Sequence, residues 1–244
     1  MIKRKQQQVS HPSNEAGFTI IESLVAILLI TILLAAIAPT IIIATATRVQ
    51  SKRVELATQA ARSFIDGVKT GVVATPDATN ATITLTQSAA ATPRSLGDNL
   101  LNTTNMPVPA TSSKQYLYCV RKDANNNLTI ANPDCTSNTD KIFYIQAVKI
   151  IVTGSAPNDS TGIPKDGYRL GIRVYRSDID FAKTVYASNG SNKKTQNTFT
   201  GTLGDRQSPL VEMTTEIGSR NTSFNALCQR LAITGSTSSN TTCN

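Results

Sequence analysis

The sequence predicts an α+β chain in which one long N-terminal α-helix precedes an antiparallel β-sheet. Two observations predict the helix: residues 23–47 contain no charged side chain, and apolar residues then recur at helical spacing. A third predicts the sheet, because later segments alternate apolar and polar residues between turn-forming residues. We expect the apolar face of the helix's second half to lie on this sheet.

The uncharged block is long enough to cross a membrane. Its 25 residues would extend about 38 Å as a helix, and a bilayer core needs about 20 residues. Lys3, Arg4 and Lys5 precede it, and the positive-inside rule keeps such bases cytoplasmic. We therefore expect a single-pass inner-membrane protein whose residues after Thr47 face the periplasm or the exterior.

Two ordinary membrane signals explain this block less well. A secretory signal peptide has an apolar region of only about 7–15 residues, and a cut after Ala38 would place Pro39 at the new N-terminus. A plain single-pass anchor leaves Glu22 unexplained, because a charged group near the start of a span is costly without a partner.

Glu22 gains a partner if the chain is cut between Gly17 and Phe18. Phe18 would then carry a new α-amine about one helical turn from Glu22. In chains staggered by about one turn, the amine of one and the carboxylate of the other would pair directly. Such pairing would favour one register of assembly.

The run Gly-Phe-Thr-Ile-Ile-Glu at 17–22, followed by a long apolar helix, resembles the class III signal of type IV pilins and type II secretion pseudopilins. The resemblance covers Gly17 to about Arg53. It implies that a prepilin peptidase cleaves after Gly17 and methylates the amine of Phe18. It also implies that Glu22 pairs with the amine of another subunit.

The same resemblance implies a pilin-like fold, in which half of the long helix lies in the membrane and half on the sheet. Pro39, the 22nd residue of the cleaved chain, stands where pilins commonly carry a helix-kinking proline. Glu15 departs from the family's basic leader, although the Lys-Arg-Lys start restores the pattern. The predicted domains are a cleaved leader at 1–17, a transmembrane or filament-core helix at 18–47, an amphipathic helix at 48–72 and a β-rich head at 73–244.

The head is predicted to be mostly strands and polar loops. The amphipathic helix should end near Gly67 or Gly71, and residues 74–114 should form a long loop with one short strand. A short helix is expected at 224–232. The candidate strands are Thr82–Thr86, Gln115–Arg121, Asn127–Ala131, Lys141–Val152, Tyr168–Arg176, Ala182–Ala187 and Leu210–Ile217.

Four cysteines favour disulfides in an oxidising compartment, since all of them follow the membrane segment. Three pairings are possible. The simplest joins Cys119 to Cys135 and Cys228 to Cys243, and each bond would close a loop of about 15 residues, worth about 3 kcal/mol. Four free thiols are the alternative.

Composition excludes several classes of function. The one histidine, His11, lies in the predicted leader, so the cleaved chain could hold neither a Ser-His-Asp triad nor a His-ligated metal. We expect no cofactor, no metal, no catalytic residue and no nucleic-acid partner. The net charge of +8 is spread over scattered bases, which we interpret as a solvated surface: Arg169, Arg173, Arg176, Lys193 and Lys194.

Two groups of acidic residues have ordinary explanations. Asp123, Asn125, Asn127 and Asp134 faintly resemble a calcium loop, but position 128 is Leu, so an Asx-rich turn is the better interpretation. Carboxylate chemistry at Asp178 and Asp180 is less favoured than an acidic surface turn.

These observations predict a minor pilin or pseudopilin that acts by assembly and is not an enzyme. The expected partners are other pilins, prepilin peptidase, an inner-membrane assembly platform and the membrane, with polysaccharide as a further candidate. Residues 46–61, 167–176 and 209–216 resemble cyanobacterial pseudopilins of hormogonium polysaccharide secretion, which implies a role in polysaccharide secretion and gliding motility. The alternatives are a pseudopilin of type II protein secretion and a membrane-anchored periplasmic enzyme or binding module.

Overall fold

The structure is a computed structural model that describes residues 17, 19–76, 82–87, 101–136, 140–154, 164–196 and 204–231. Contacts divide the chain into two compact units, with the boundary between Thr45 and Ala46. Helix α1 has 51 residues and runs from Ile20 to Thr70. Its first turns belong to the first unit, and its remaining turns belong to the second unit together with the sheet.

The end of α1 is set by a glycine. Gly71 has a φ of 75°, a left-handed conformation that costs glycine little and ends many helices. Its N–H donates to the carbonyl oxygen of Val68 at 3.2 Å. Of the two predicted ends, the structure uses the second.

The second half of α1 packs on the sheet through one stripe of small and aromatic residues. The buried apolar side chains of this stripe are Ala57, Ala60, Ala61, Phe64 and Val68. They share one core with strand residues, and the Phe64 ring meets Tyr118 edge-on at 4.7 Å between ring centroids. The alanines let the helix axis approach the sheet closely, so the amphipathic pattern in the sequence is fulfilled by this core.

Among the described residues, six strands form one sheet that follows the helix. In chain order they are β1 Thr82–Leu85, β2 Tyr118–Lys122, β3 Leu128–Ile130, β4 Lys141–Val152, β5 Tyr168–Arg176 and β6 Val211–Ile217. Their order is β3-β2-β4-β5-β6, with β1 beside β4. The β1–β4 pairing is parallel and the others are antiparallel. A long helix followed by an antiparallel sheet confirms the predicted α+β class.

β4 and β5 have the predicted bounds, whereas other segments differ. The predicted strand at Ala182–Ala187 is wrong: Val185 and Ala187 are buried in an extended loop, but Tyr186 N–H donates to the loop carbonyl of Gln207. β4 and β6 already occupy both edges of β5, and this segment pairs with none of the described strands. The predicted start of β2 at Gln115 is also wrong, because residues 111–116 form a 3₁₀ helix within and just after the predicted loop.

The β2–β3 hairpin is closed by a turn and a disulfide. Asp123 Oδ1 accepts hydrogen bonds from the backbone N–H groups of Asn125 and Asn127, at 2.9 and 2.8 Å, which is the geometry of an Asx turn. Cys119 is bonded to Cys135 across a Cα–Cα distance of 5.5 Å. The described residues contain no cluster of three or more His, Cys, Asp or Glu suited to a metal.

Arg169 and Arg173 lie on the sheet face away from α1, and both are buried. The predicted solvated surface is therefore wrong for these two bases. The side chains of Arg169 and Arg173 are 6% and 0% exposed, and each pairs with a glutamate directly opposite on β6. The distances are 2.7 Å from Arg169 Nε to Glu216 and 2.8 Å from Arg173 Nε to Glu212. Burial of these arginines is tolerated because each charge has a partner.

Helix α2, Phe224–Leu231, extends this network. Ser223 Oγ accepts a hydrogen bond from Ala226 N–H at 3.1 Å and caps the helix. Arg230, on α2, donates to the second carboxylate oxygen of Glu216 at 3.0 Å. The predicted residue 232 at the end of this helix lies outside the described residues.

Candidate functional site

The predicted processing site lies immediately before α1. Gly17 is exposed, while Phe18 lies outside the described residues. α1 begins at Ile20, three residues after the predicted cleavage point. Cleavage there would leave only Phe18 and Thr19 ahead of the helix.

Thr19 is a residue of this site that sequence reasoning missed. Its Oγ1 accepts a hydrogen bond from Glu22 N–H at 3.3 Å, and its carbonyl oxygen accepts from both Glu22 and Ser23 N–H. Thr19 is thus the N-cap of α1, and Glu22 is the third helical residue. The pattern Thr-x-x-Glu before an apolar run is a capping-box signature that could have identified both roles from sequence. Glu22 also lies in the first turn, where the helix dipole favours a negative charge.

From Ile20 to Ile43, α1 presents an apolar surface on all sides. Its most apolar 18-residue window has a mean hydropathy of 2.8 and contains no buried residue. α1 is therefore the one helix among the described residues that is long and apolar enough to cross a membrane. Leu24, Ile30 and Leu34, for example, each expose more than half of their surface. A surface of this size is covered in a functioning protein, by lipid or by other apolar helices.

The hydroxyl groups in this apolar stretch are satisfied by the helix itself. Ser23, Thr31 and Thr40 each donate to the carbonyl oxygen three residues earlier, at 2.7–2.8 Å. Thr45 donates to the carbonyls of Ile41 and Ile42. Such local bonds let hydroxyls enter an apolar medium without an external partner.

The carboxylate of Glu22 is the contrasting group. No hydrogen bond or ion pair joins its side chain to any described residue, and it is the only charged side chain between Ile20 and Thr47. Its backbone N–H is satisfied by Thr19, so only the carboxylate is left to an external partner. A carboxylate at the edge of an apolar span is costly unless a cation or a hydrogen-bond donor partners it.

Pro39 lies within α1, and the helix continues on both sides of it. Proline has no N–H, so the carbonyl of Ala35 lacks its usual helical partner. Thr40, the next residue, donates its hydroxyl to the carbonyl oxygen of Ile37 at 2.7 Å. Pro39 is therefore compatible with a helix that stays continuous through the apolar stretch.

The comparison with protein families bears on this segment. Residues 12–38 match the prokaryotic N-terminal methylation motif. No curated protein and no solved structure matched the chain. The methylation motif includes Gly17, Phe18 and Glu22 and supports a class III signal of the type IV pilin and pseudopilin kind.

The methylation motif supports a pilin or pseudopilin subunit, a structural protein rather than an enzyme. It implies processing by a prepilin peptidase and pilins as partners in general. The match and the exposed apolar helix together fit an inner-membrane anchored pilin. The motif ends at Ala38 and therefore carries no information about the head.

In the head, the buried charges serve to hold loops on the sheet. Arg173 donates to the carbonyl oxygens of Met106 and, at 3.2 Å, Ser188, which belong to two different loops. Arg230 donates to the carbonyls of Asp166 and Gly167, at 2.8 and 3.2 Å. These bonds satisfy backbone groups of the covering loops, which is a structural role.

The remaining predicted head residues fall in separate places. Asp178 pairs with Arg176 at 2.6 Å, and Asp180 accepts from the N–H of Ala182, so each carboxylate is engaged in its own turn. Cys228 on α2 is disulfide-bonded, and its predicted partner Cys243 lies outside the described residues.

Burial raises the pKa of Tyr168 to about 12 and also raises that of Tyr175.

Proposed function

We propose that this chain is a minor pilin or pseudopilin, a structural subunit of a type IV pilus-like filament. A prepilin peptidase cuts between Gly17 and Phe18 on the cytoplasmic side and methylates the new amine. The assembly platform then lifts α1 from the inner membrane into a bundle of like helices, and the head faces the periplasm or the exterior. Residues 1–17, 18–47, 48–72 and 73–244 are accordingly leader, core helix, amphipathic helix and head.

The observation that carries this proposal is the carboxylate of Glu22, which has no partner among the described residues and lies at the start of an exposed apolar stretch of α1. The hydroxyls along that helix are satisfied locally, so Glu22 is the group left to select a neighbour. The amine of Phe18 from another subunit has the charge and the position that Glu22 requires. The continuous apolar surface supplies the contact area, and the charge pair supplies the register.

The first test is mass spectrometry of the protein isolated from native filaments. We expect an N-terminus at methylated Phe18, with residues 1–17 absent. An intact Met1, or a chain that begins at Pro39, would contradict the proposal.

The second test replaces Glu22 with alanine and uses Ser23→Ala as the matched control. Both variants should stay in the membrane, since the apolar stretch is unchanged. Incorporation of Glu22→Ala into sheared filaments should fall at least about tenfold, which corresponds to about 1.4 kcal/mol of lost pairing energy. Ser23→Ala should assemble normally, because its hydroxyl bonds only to its own helix. Unchanged incorporation of Glu22→Ala would remove this residue from the mechanism.

We further propose that the filament supports polysaccharide secretion and gliding motility. The support is the resemblance of residues 46–61, 167–176 and 209–216 to pseudopilins of such systems. A deletion strain should lose extracellular polysaccharide and motility but keep its secreted proteins. Loss of secreted proteins alone would instead favour the type II protein secretion role.

A further inference from the structure

A cavity in the head lies where the sheet lacks a strand. β4 is 12 residues long and pairs on one edge with two short strands in succession. β2 covers that edge up to Ile145, and β1 begins to cover it at Lys149. The three residues between, 146–148, have no strand partner on this edge and form one wall of a cavity of about 460 Å³. This volume falls within the range of about 300–1,000 Å³ that is typical of small-ligand sites.

The lining of the cavity combines polar and apolar groups and carries no charge. None of the described residues that line it is Asp, Glu, Lys, Arg or His. A charged ligand would therefore lose its hydration without gaining a counter-charge. The chemistry of the lining favours a neutral ligand that carries many hydroxyl or amide groups.

Several polar groups around the cavity are available to such a ligand. The side chains of Thr82, Thr104, Asn105 and Tyr116 form no hydrogen bond with the described residues, and the last three are exposed. Gln146 donates its Nε2 to the carbonyl of Pro107 at 2.7 Å, which leaves its Oε1 buried without a hydrogen-bond donor. A hydroxyl group entering the cavity could supply that donor after a small rotation of the amide.

The Tyr116 ring gives the cavity an apolar surface beside these polar groups. Tyr116 ends the 3₁₀ helix, and its side chain is 39% exposed. A tyrosine ring offers a large contact area and one polar end at a low entropic cost. This pairing of a ring with amides and hydroxyls suits a sugar, which presents C–H groups on its faces and hydroxyls on its edges.

The same gap is a poor site for a peptide that would add a strand. Ser177 N–H donates to Ile142 carbonyl oxygen, so the even-numbered residues of β4 direct their main-chain groups towards β5. Within residues 146–148, only Ala147 directs its N–H and C=O into the gap. Strand addition obtains its affinity from a run of main-chain hydrogen bonds, which one residue does not provide.

We propose that this cavity binds a neutral glycan. The site is built entirely within the second unit, whereas the predicted processing site belongs to the first. Its test uses the unassembled full-length chain, so a failure of glycan binding and a failure of filament assembly are separate outcomes.

The experiment measures binding to the full-length protein in a detergent without a sugar headgroup. The probes are neutral oligosaccharides of glucose, galactose and N-acetylglucosamine, with polygalacturonate as the anionic comparison and a Ser/Thr-rich peptide as the peptide comparison. We expect saturable binding of at least one neutral oligosaccharide and weaker binding of both comparison probes. No binding to any neutral oligosaccharide, or tighter binding of the peptide, would overturn the proposal.

Variants then locate the site. Tyr116→Ala and Asn105→Ala should each raise the dissociation constant about tenfold, the size expected for the loss of one ring contact or hydrogen bond. Both residues are exposed, so neither change should impair folding. Tyr186→Ala is the matched control, because Tyr186 is 43% exposed and does not line the cavity. Equal effects of Tyr116→Ala and Tyr186→Ala would overturn the assignment to this cavity.

Discussion

The two halves of α1 have the same backbone conformation and opposite surroundings. Before residue 45, most large apolar residues, such as Leu33, are more than half exposed. Beyond it, the stripe that contains Phe64 is completely buried against the sheet. The first half therefore depends on lipid or on neighbouring helices to cover it, whereas the second half is covered by its own chain.

The two regions also satisfy their polar groups differently. In the exposed half, hydroxyls bond to carbonyls three or four residues earlier in the same helix. In the second unit, Gln50 is 1% exposed and its Nε2 donates to Gln196 Oε1 at 2.6 Å, a partner 146 residues away. A segment whose polar groups form hydrogen bonds within their own helix can exchange one set of neighbours for another. A segment whose polar groups bond to distant parts of the chain is committed to one fold.

The largest expected effect comes from truncating one apolar side chain in each half. Phe64→Ala removes a buried ring from the core and should lower the free energy of unfolding of the head by about 4 kcal/mol. Leu33→Ala should leave it nearly unchanged, since Leu33 is 60% exposed. Denaturant unfolding in detergent micelles measures both values. Equal losses would break the comparison between the two halves.

A slightly smaller effect is expected from removing a buried charge. Arg173→Met leaves Glu212 buried without its partner and frees the carbonyls of two loops, and should cost about 3 kcal/mol. Arg176→Met is the control, because its partner Asp178 is half exposed, and should cost at most about 1 kcal/mol. Denaturant unfolding again provides the measurement. A cost for Arg173→Met as small as that of the control would show that the buried pair does not hold the loops.

The smallest effect is on the pH dependence of stability. Only the second unit should show it, because residues 23–47 have no titratable side chain. Burial raises the pKa of Tyr168 from 10 to about 12. Between these values the folded state keeps a proton that the unfolded state has lost, so stability falls as pH rises. Tyr168→Phe lacks this ionisation and should lose about 2–3 kcal/mol less than the wild type between pH 10 and 12.

Unfolding monitored by circular dichroism across this pH range measures the difference. The pH-dependent part of the difference should vanish at neutral pH, where the phenol is protonated in both states. Parallel profiles for the wild type and Tyr168→Phe up to pH 12 would contradict the assigned role of burial.

The elements that the sequence predicted well are those with a local signal. β4 and β5 are long runs of β-branched and aromatic residues bounded by turn residues, and their ends match the prediction. The long helix follows from its apolar periodicity. The segment 182–187 has the same alternation but pairs with none of the described strands, because pairing depends on the whole sheet.

The buried arginines show the same limit at the level of single residues. Arg169 and Arg173 alone resemble ordinary solvent-facing residues of an alternating strand. Their burial depends on Glu216 and Glu212, which lie 47 and 39 residues later and have the same spacing of four. The matching four-residue spacings of the two arginines and the two glutamates could have suggested these pairs. The cavity beside residues 146–148 depends instead on where β1 and β2 end, and the sequence carries no signal for that.

The bond between Cys119 and Cys135 bears on how the head would respond to tension. These cysteines are 16 positions apart and enclose β3 together with the turn that precedes it. A pulling force that unravels the sheet cannot lengthen this enclosed segment, which would extend about 50 Å if it were open. An unfolded head with this disulfide intact would therefore be shorter by that length than a reduced one. A filament under tension would accordingly extend less before its subunits separate.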